Sequence, residues 1–221
     1  MAQILFTSRY GGTSNKPFDS LNLGSHVGDR SEDVATNRNL LKAMLSRRAP
    51  VFMDQVHGNE VVEISSETNL PVTADALITR EPGLPLVVLT ADCLPILISS
   101  SVVVGAIHAG RKGVLNGVIG KSVAAMRALG GTELVAKIGP AICSECYEVD
   151  QQMYEDAVKK VSELATSPAK HCLDLLGGAK SQLENFGVKV SSVDICTSHN
   201  LNFFSYRRVA KTGRSAGVIV L

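Results

Sequence analysis

Six short segments rich in Val, Ile and Leu lie in the first half of the chain, and the connections between them constrain the fold more than any other feature. Gly, Pro, Asn and Ser punctuate them, which is the pattern of β-strands separated by turns. Many of the connections are shorter than the dozen or so residues that a helical crossover between parallel strands needs. The segments therefore predict a β-sheet of mixed strand direction. They comprise residues 51–56, 60–64, 74–79, 86–90, 96–99 and 102–107.

Helical segments flank these strands. Residues 33–47 carry apolar side chains at close to a 3.6-residue period behind a candidate N-cap at Ser31, and residues 114–129 end at Gly130, a residue type favoured just past a helix C-terminus. The 221 residues contain no repeat and no long linker, so we predict one domain over residues 1–221. The predicted fold class is α/β, a single-domain layered sandwich with a mixed β-sheet and flanking helices. The remaining predicted elements are helices at 150–164 and 172–186 and strands at 3–8, 135–138, 193–196 and 216–221.

Charge and hydropathy exclude several classes of protein. Lys and Arg number 22 against 21 for Asp and Glu, and this net charge of +1 gives no reason to expect nucleic acid or an anionic membrane as a partner. The longest apolar runs, at 84–89 and 102–107, are far shorter than the ~20 residues of a membrane span. The N-terminus shows no signal-peptide pattern and the five cysteines are an odd number. We therefore expect a cytoplasmic protein with either reduced thiols or a metal site.

Histidine and cysteine stand where several of these strands begin or end. His57 closes one segment before Gly58, Asp92 and Cys93 follow another, and His108 precedes a glycine-containing turn. Strand ends beside turns are where a sheet presents side chains to a cleft.

The spacing of Cys93 and His108 makes a specific geometric prediction. Two of the strand segments are separated only by Ser100 and Ser101, which suits a two-residue hairpin turn. In that register Cys93 faces His108 directly, with Cβ atoms roughly 5 Å apart. With His57 as a third ligand, the set matches a catalytic zinc site that keeps its fourth position open. The alternative is that Cys93 is a small buried side chain and that hydrogen bonds cap both histidines.

The remaining cysteines and histidines give weaker signals. Cys143 and Cys146 have the CxxC spacing, but no second CxxC accompanies them, so we interpret them as two reduced thiols in a loop. A redox pair or structural zinc is the alternative. His171 and Cys172 are interpreted as surface and core residues at a helix start, and His199 lies in a polar loop with some prospect of function.

Cationic side chains cluster near the C-terminus, at Arg207, Arg208, Lys211 and Arg214. Arginine beside glycine suits a phosphate or carboxylate, and a solvated loop is the alternative. The chain has no Walker motif, no GxGxxG after a strand and no GxSxG elbow.

Seven motifs along the chain, in order, resemble the laccase-domain family once called multicopper polyphenol oxidases. No single motif is distinctive, but together they follow the order that the family has, and the match runs from about Ser8 to Leu221. The motifs are Ser20-Leu21-Asn22-Leu23-Gly24-Ser25-His26-Val27-Gly28-Asp29 with Asn37-Arg38, Gln55-Val56-His57-Gly58, Thr90-Ala91-Asp92-Cys93-Leu94-Pro95, His108-Ala109-Gly110, Ile138-Gly139-Pro140, Cys146-Tyr147-Glu148-Val149, and Phe204-Ser205-Tyr206-Arg207-Arg208 with Thr212-Gly213-Arg214.

The resemblance implies a zinc-dependent purine nucleoside phosphorylase that also deaminates adenosine and cleaves methylthioadenosine. Its metal ligands fall on His57, Cys93 and His108, the same three residues that the strand argument selects. Some family members are described as peptidoglycan-editing factors, so binding or editing of a cell-wall precursor at the same site is the alternative. Copper would bind these ligands more tightly than zinc, yet five histidines in all are too few for a multicopper oxidase.

The resemblance also suggests how the remaining motif residues act. Asp92 is the candidate acid/base, able to protonate the departing purine or orient the nucleophile, and a turn-capping carboxylate is the alternative. The family usually has Trp after His-Ala-Gly, whereas this chain has Arg111 and no Trp, which removes an aromatic wall for the base. Six residues are candidates for binding substrate, the arginines at phosphate and the others at ribose or base: Arg38, Arg207, Arg214, Asn22, His26 and Gln55.

Overall fold

Two β-sheets of mixed strand direction lie face to face in the computed structural model, which describes residues 2–45, 48–66, 68–166 and 170–221. The strands are β1 (Gln3–Phe6), β2 (Val51–Asp54), β3 (Val61–Glu63), β4 (Val72–Thr73), β5 (Ala76–Thr79), β6 (Leu86–Thr90), β7 (Leu94–Ser99), β8 (Val104–Ala109), β9 (Val135–Ile138), β10 (Lys189–Ser192) and β11 (Ser215–Val220). The helices are α1 (Ser31–Leu45), α2 (Arg111–Asn116), α3 (Val118–Ala128), α4 (Gln151–Lys160) and α5 (Leu175–Asn185), and a 3₁₀ turn spans Ser162–Leu164.

Both sheets contain parallel and antiparallel strand pairs, as the short connections predict. One sheet has the order β1-β11-β6-β2-β4 and the other has the order β10-β9-β7-β8-β5-β3. In the second sheet, β7 pairs antiparallel with both β8 and β9, whereas β9 and β10 run parallel. The predicted α/β layered sandwich is confirmed, with two mixed sheets where one was expected.

Strands that are buried on both faces join the layers of the core. In β6, Leu86 and Val88 pack between the two sheets, while Val87 and Leu89 pack with Leu41 of α1 on the outer face. Alternate side chains of a strand point to opposite faces, so a continuous apolar run is what a strand between two apolar layers requires. The outer face of the six-stranded sheet is covered by α3 and α5.

Several predicted boundaries shift for local reasons. The helix predicted at 114–129 starts earlier and is divided at Gly117, whose left-handed backbone (φ 81°) caps α2 through its N–H. Ser31 is the first residue of α1 instead of its cap, and the last two residues of the helix predicted at 33–47 lie outside the described residues. Within the described part of the chain, no helix is both long and apolar enough to cross a membrane.

The strand predicted at 193–196 is wrong. The strand β10 lies just before these residues and ends at Ser192, because its partner β9 ends at Ile138 before the Gly139-Pro140 turn. The chain that follows forms only a single parallel bridge, between Cys196 and Ala141.

The two-residue hairpin turn predicted between β7 and β8 is also wrong. The turn contains four residues, because Ser100 accepts hydrogen bonds from the N–H groups of Val102 and Val103 through its side chain and donates its own N–H to the Val103 carbonyl. Consequently Pro95, and not Cys93, stands opposite His108. A shift of two residues preserves the face on which a side chain lies, so Cys93 and His108 remain on the same side of the sheet.

Candidate active site

The three predicted metal ligands meet at one edge of the sandwich. His57 lies in the loop between β2 and β3, Cys93 in the turn by which the chain crosses from β6 in one sheet to β7 in the other, and His108 on β8. Their ligand atoms all lie within 4.8 Å of one another. Cys93 Sγ is 3.9 Å from His57 Nε2, and the two imidazole rings stand edge to face with their centres 4.7 Å apart.

A buried carboxylate that the sequence analysis missed supports this group. Asp75 is 0% exposed, and its Oδ1 lies 2.8 Å from Nδ1 of His108. The carboxylate also accepts the backbone N–H groups of His57 (3.0 Å) and Gly58 (2.6 Å). Engaging Nδ1 leaves Nε2 of His108 free to bind a metal, which is how supporting carboxylates orient histidine ligands. The available signal was a single acidic residue between Ala74 and Ala76, just before a buried strand.

Electrostatics within the site favour an ionised thiol. Burial alone would raise the pKa of Cys93, but the charge of His108 and hydrogen bonds from His108 and His57 lower it to about 6. Burial would lower the pKa of His108, yet the Cys93 thiolate and Asp75 raise it to about 9. The pKa of Asp75 also falls below its ordinary value, because hydrogen bonds from His108 and the backbone outweigh its burial. Without a metal, the group therefore pairs a Cys93 thiolate with a protonated His108. A cation bound between them would take the place of the proton on Nε2 of His108.

The absence of a side chain at Gly110 lets the ligands approach one another. A Cβ atom at this position would lie 2.9 Å from Cys93 Sγ and 3.2 Å from Cδ2 of His57. Two imidazoles, one thiolate and a carboxylate behind one of the imidazoles form the donor set of a zinc site with an open position. The residues therefore fit the metal that the family resemblance implies.

A cleft of about 410 Å³ opens in front of the three ligands, within the range of small-molecule sites. Tyr147 and Tyr206 line it, and neither was predicted to bind substrate, although both lie in motifs that carry the resemblance. The guanidinium of Arg207 lies 5.2 Å from the centre of the Tyr147 ring. The predicted substrate-binding and catalytic residues that line the cleft are His26, Gln55, Asp92, Arg207 and Arg214.

Asp92 lies in the crossing turn and is buried, with a left-handed backbone (φ 97°). Its Oδ1 accepts the hydroxyl of Thr197, its Oδ2 accepts the backbone N–H of Arg207, both at 2.7 Å, and its carbonyl accepts the N–H of Ile142. Asp92 therefore joins its own turn to three other segments around the cleft that it lines, two through its carboxylate and one through its backbone carbonyl.

Gln55 and His26 form the other wall. The Gln55 amide pairs with both backbone groups of Leu89 at 2.8 Å, which prolongs the contact between β2 and β6 beyond the last strand residue. Burial and the charges of Arg214 and Arg38 lower the pKa of His26, so its imidazole is mainly neutral at pH 7. Positive charge on this wall therefore comes from arginine.

Asn22 and Arg38 lie behind the cleft. Asn22 is 0% exposed, and its Oδ1 accepts the N–H of Arg214 at 2.9 Å while its amide group donates to Asp29 and to the backbone of its own loop. Arg38 donates to the Leu23 carbonyl, and its guanidinium covers the Phe52 ring at 4.0 Å. The contacts favour a positioning role for both residues, with Arg214 as the group that Asn22 places.

The structure also brings together a second group that the sequence analysis left apart. Cys143, Cys146, Cys196 and His199 place their ligand atoms within 4.8 Å of one another. Only the CxxC half was recognised as a possible metal motif. The missing signal was the matching CxxH spacing of Cys196 and His199.

Comparison with other sequences gives matches over almost the whole chain. Residues 3–221 match the family profile described as multi-copper polyphenol oxidoreductase laccase. The chain is 41% identical to a purine nucleoside phosphorylase of Streptomyces coelicolor, over 100% of this chain and 96% of the relative. It is 40% identical to one of Corynebacterium glutamicum (98% and 93%) and 37% identical to the purine nucleoside phosphorylase YfiH of Escherichia coli (97% and 92%).

Solved structures agree with these matches. A Neisseria meningitidis protein aligns with a TM-score of 0.90 at 33% identity, covering 100% of this chain and 94% of that protein. The Bacillus licheniformis protein YfiH aligns with a TM-score of 0.87 at 30% identity, covering 100% and 92%. The resemblance found in the sequence motifs is confirmed: the chain belongs to the multi-copper polyphenol oxidoreductase laccase family.

Proposed function

We propose that the protein is a metal-dependent purine nucleoside phosphorylase acting in the cleft beside His57, Cys93 and His108. One observation carries the proposal: a single cleft holds a metal-ligand triad, two tyrosine rings and two arginine side chains. Relatives at 37–41% identity that bear the name purine nucleoside phosphorylase support it. A laccase mechanism needs a cluster of several histidines, whereas the two ligand groups among the described residues contain two histidines and one.

The reaction sets three requirements for the cleft. A phosphate oxygen bonds to C1′ of the nucleoside, the bond from C1′ to the purine nitrogen breaks, and the base leaves with the bonding electrons and takes up a proton. The site must hold an anion, a flat base and a proton donor. Arg207 and Arg214 would bind phosphate as charged hydrogen-bond donors. Tyr147 and Tyr206, which line the cleft, would contact the purine in place of the aromatic wall lost with the family Trp.

The metal that these ligands fit best is zinc, with copper as a competitor for the same donors. When bound, it would supply Lewis-acid chemistry at the open position. The chain's own residues set the geometry: Asp75 holds the His108 ring, and the bare Cα of Gly110 leaves room for Cys93.

Asp92 would give the departing purine its proton. Its two oxygens accept one hydrogen bond each, which fixes the carboxyl group at the cleft and leaves a lone pair on which the carboxyl group would carry the proton that it gives to the base. Replacing Asp92 with Asn should slow phosphorolysis of inosine far more than that of 7-methylguanosine, whose base leaves without protonation. An equal loss on both substrates would assign Asp92 to positioning alone.

Deamination of adenosine and cleavage of methylthioadenosine would use the same cleft. In deamination, a water oxygen bonds to C6 of the purine and ammonia leaves, so phosphate is not required. In methylthioadenosine, the sulfur substituent lies on the ribose, away from the bond that breaks, and phosphorolysis proceeds as for inosine.

The decisive assay uses metal-loaded protein with inosine, adenosine and methylthioadenosine, each with and without phosphate. Base release that depends on phosphate supports phosphorolysis, and ammonia release from adenosine supports deamination. Release of neither product from any of the three substrates would overturn the proposal.

A further inference from the structure

Two parallel strands deliver the second ligand group to one edge of the six-stranded sheet. The chain leaves β9 at Ile138 and β10 at Ser192, which are paired in register. Parallel neighbours end at the same edge, and the bridge between Ala141 and Cys196 extends the pairing into the loops. The CxxC of one loop therefore meets the CxxH of the other.

The four ligand atoms are close enough to share one ion. Cys146 Sγ lies 2.9 Å from Nε2 of His199, and the backbone N–H of Cys143 points to Cys196 Sγ at 3.3 Å. For zinc, bond lengths of about 2.3 Å to sulfur and 2.0–2.1 Å to nitrogen in a tetrahedron place neighbouring ligand atoms roughly 3.5–3.8 Å apart. Separations of at most 4.8 Å across the group require only small side-chain adjustments.

We propose that Cys143, Cys146, Cys196 and His199 form a second metal site, a closed Cys₃His zinc centre with a structural role. Three thiolates and one imidazole complete a tetrahedron and leave no position for substrate, which distinguishes structural from catalytic zinc. Sulfur ligands also select zinc over oxygen-preferring cations such as magnesium. Cys143, Cys196 and His199 line a surface concavity of about 910 Å³, which gives the ion a path from solvent. The proposal does not depend on the proposed function.

The contacts of these two loops show what the centre would hold in place. Thr197, inside the CxxH segment, donates its hydroxyl to Asp92, and the Cys146 carbonyl accepts a hydrogen bond from the Arg207 guanidinium at 3.0 Å. Arg208 donates to the carbonyls of Thr197 and Ser198. An ion joining the loops would thus fix the surroundings of Asp92 and Arg207 without touching substrate.

Metal counting on the intact protein tests the proposal directly. Native mass spectrometry and elemental analysis of untagged protein purified with zinc should find two ions per chain. Cys143→Ser and His199→Ala should each reduce the count to one, and His57→Ala should remove the other. Cys172→Ser alters a buried cysteine outside both groups and should leave two. One ion in the wild-type protein, or two in both Cys143→Ser and His199→Ala, would overturn the proposal.

Two further measurements keep the test decisive if those variants fold poorly. His199→Cys retains four metal donors and should keep two ions, where a merely structural histidine would show no such rescue. In the His57→Ala protein, cobalt(II) should give the intense thiolate-to-metal absorption of a site with three sulfur ligands. A disulfide among Cys143, Cys146 and Cys196 in protein purified anaerobically with zinc, with the second ion absent, would show instead that the cluster is a redox group.

Discussion

The two cysteine–histidine groups differ in ligand number and in what surrounds them. The group of His57, Cys93 and His108 offers three candidate metal ligands, with a buried carboxylate behind one of them and a cleft in front. The group around Cys143 has four ligands, three of them sulfur, carried on two loops that are braced by backbone and arginine contacts. A set of three protein ligands leaves one coordination position open for chemistry. A set of four fills the coordination sphere, and the free energy of metal binding then stabilises the fold.

Removing a candidate ligand from the three-residue group should have the largest effect on metal content and turnover. His57→Ala should abolish metal binding at that site and lower phosphorolysis by more than the roughly 10–100-fold that loss of a supporting residue costs. Folding should survive with a small loss of stability, because His57 is exposed in a loop but has a positive φ of 58° that alanine adopts less readily. Elemental analysis, steady-state assay and thermal unfolding check this. His171→Asn is the matched control, since asparagine tolerates the positive φ of 45° there. Full activity of His57→Ala without metal would contradict the assignment.

Asp75→Asn should have the next largest effect. The amide cannot hold His108 as the carboxylate does, and it sets an N–H₂ group against backbone donors, so metal affinity should fall about 10–100-fold. Titration with a competing chelator measures the affinity. Asp156→Asn, on the exposed surface of α4, should leave the affinity unchanged. An unchanged affinity in Asp75→Asn would show that the carboxylate does not support the ligand.

Alkylation should distinguish the two groups within one protein. Metal coordination engages the sulfur lone pair of Cys93, so iodoacetamide should react slowly until a chelator is added. Once the metal is removed, the pKa of about 6 makes Cys93 largely thiolate at pH 7 and strongly reactive. With increasing chelator, peptide mapping should detect labelled Cys93 before Cys143, Cys146 or Cys196, because three ligands release an ion more readily than four. Fast labelling of Cys93 in loaded protein would indicate a free nucleophile.

Cys143→Ser should have the smallest effect on turnover. The side chain contacts no proposed substrate-binding group, so the rate at 25 °C should stay within a few-fold of wild type, while the midpoint of thermal unfolding falls. Measuring both quantities on one preparation, beside Cys172→Ser, separates stability from chemistry. A loss of turnover as large as that of His57→Ala would mean that the sulfur-rich group is the catalytic one.

The sequence predicted best those strands whose bounds are set by their own side chains. Residues 86–90 and 135–138 were predicted with the bounds that β6 and β9 have, because apolar runs between turn residues leave little choice. The β7–β8 turn failed because its length depends on hydrogen bonds of the Ser100 side chain. His57, Cys93 and His108 still lie together in spite of this error, since a two-residue shift keeps the face.

The parts of the site that were missed depend on tertiary contact. Asp75 shares a hydrogen bond with a residue 33 positions away, and no local pattern marks that partnership. Cys143 and Cys196 are brought together only by the pairing of β9 with β10. Tyr147 and Tyr206 carry no charge or ligand atom that would single them out, and their place in the cleft follows from the loops that hold them.

The crossing turn at residues 91–93 has a consequence for how such a chain tolerates changes in length. This turn is the passage from β6 to β7, and so from one sheet to the other, and it also carries Asp92 and Cys93. An inserted or deleted residue there would displace Cys93 and, at the same time, disturb the connection between the two sheets. The Ser100–Val103 turn lies at the far end of β7 and ends in exposed backbone at Ser101 and Val102. We expect changes in loop length, or an inserted tag, to be tolerated at that far end, where the turn contacts none of the candidate site residues.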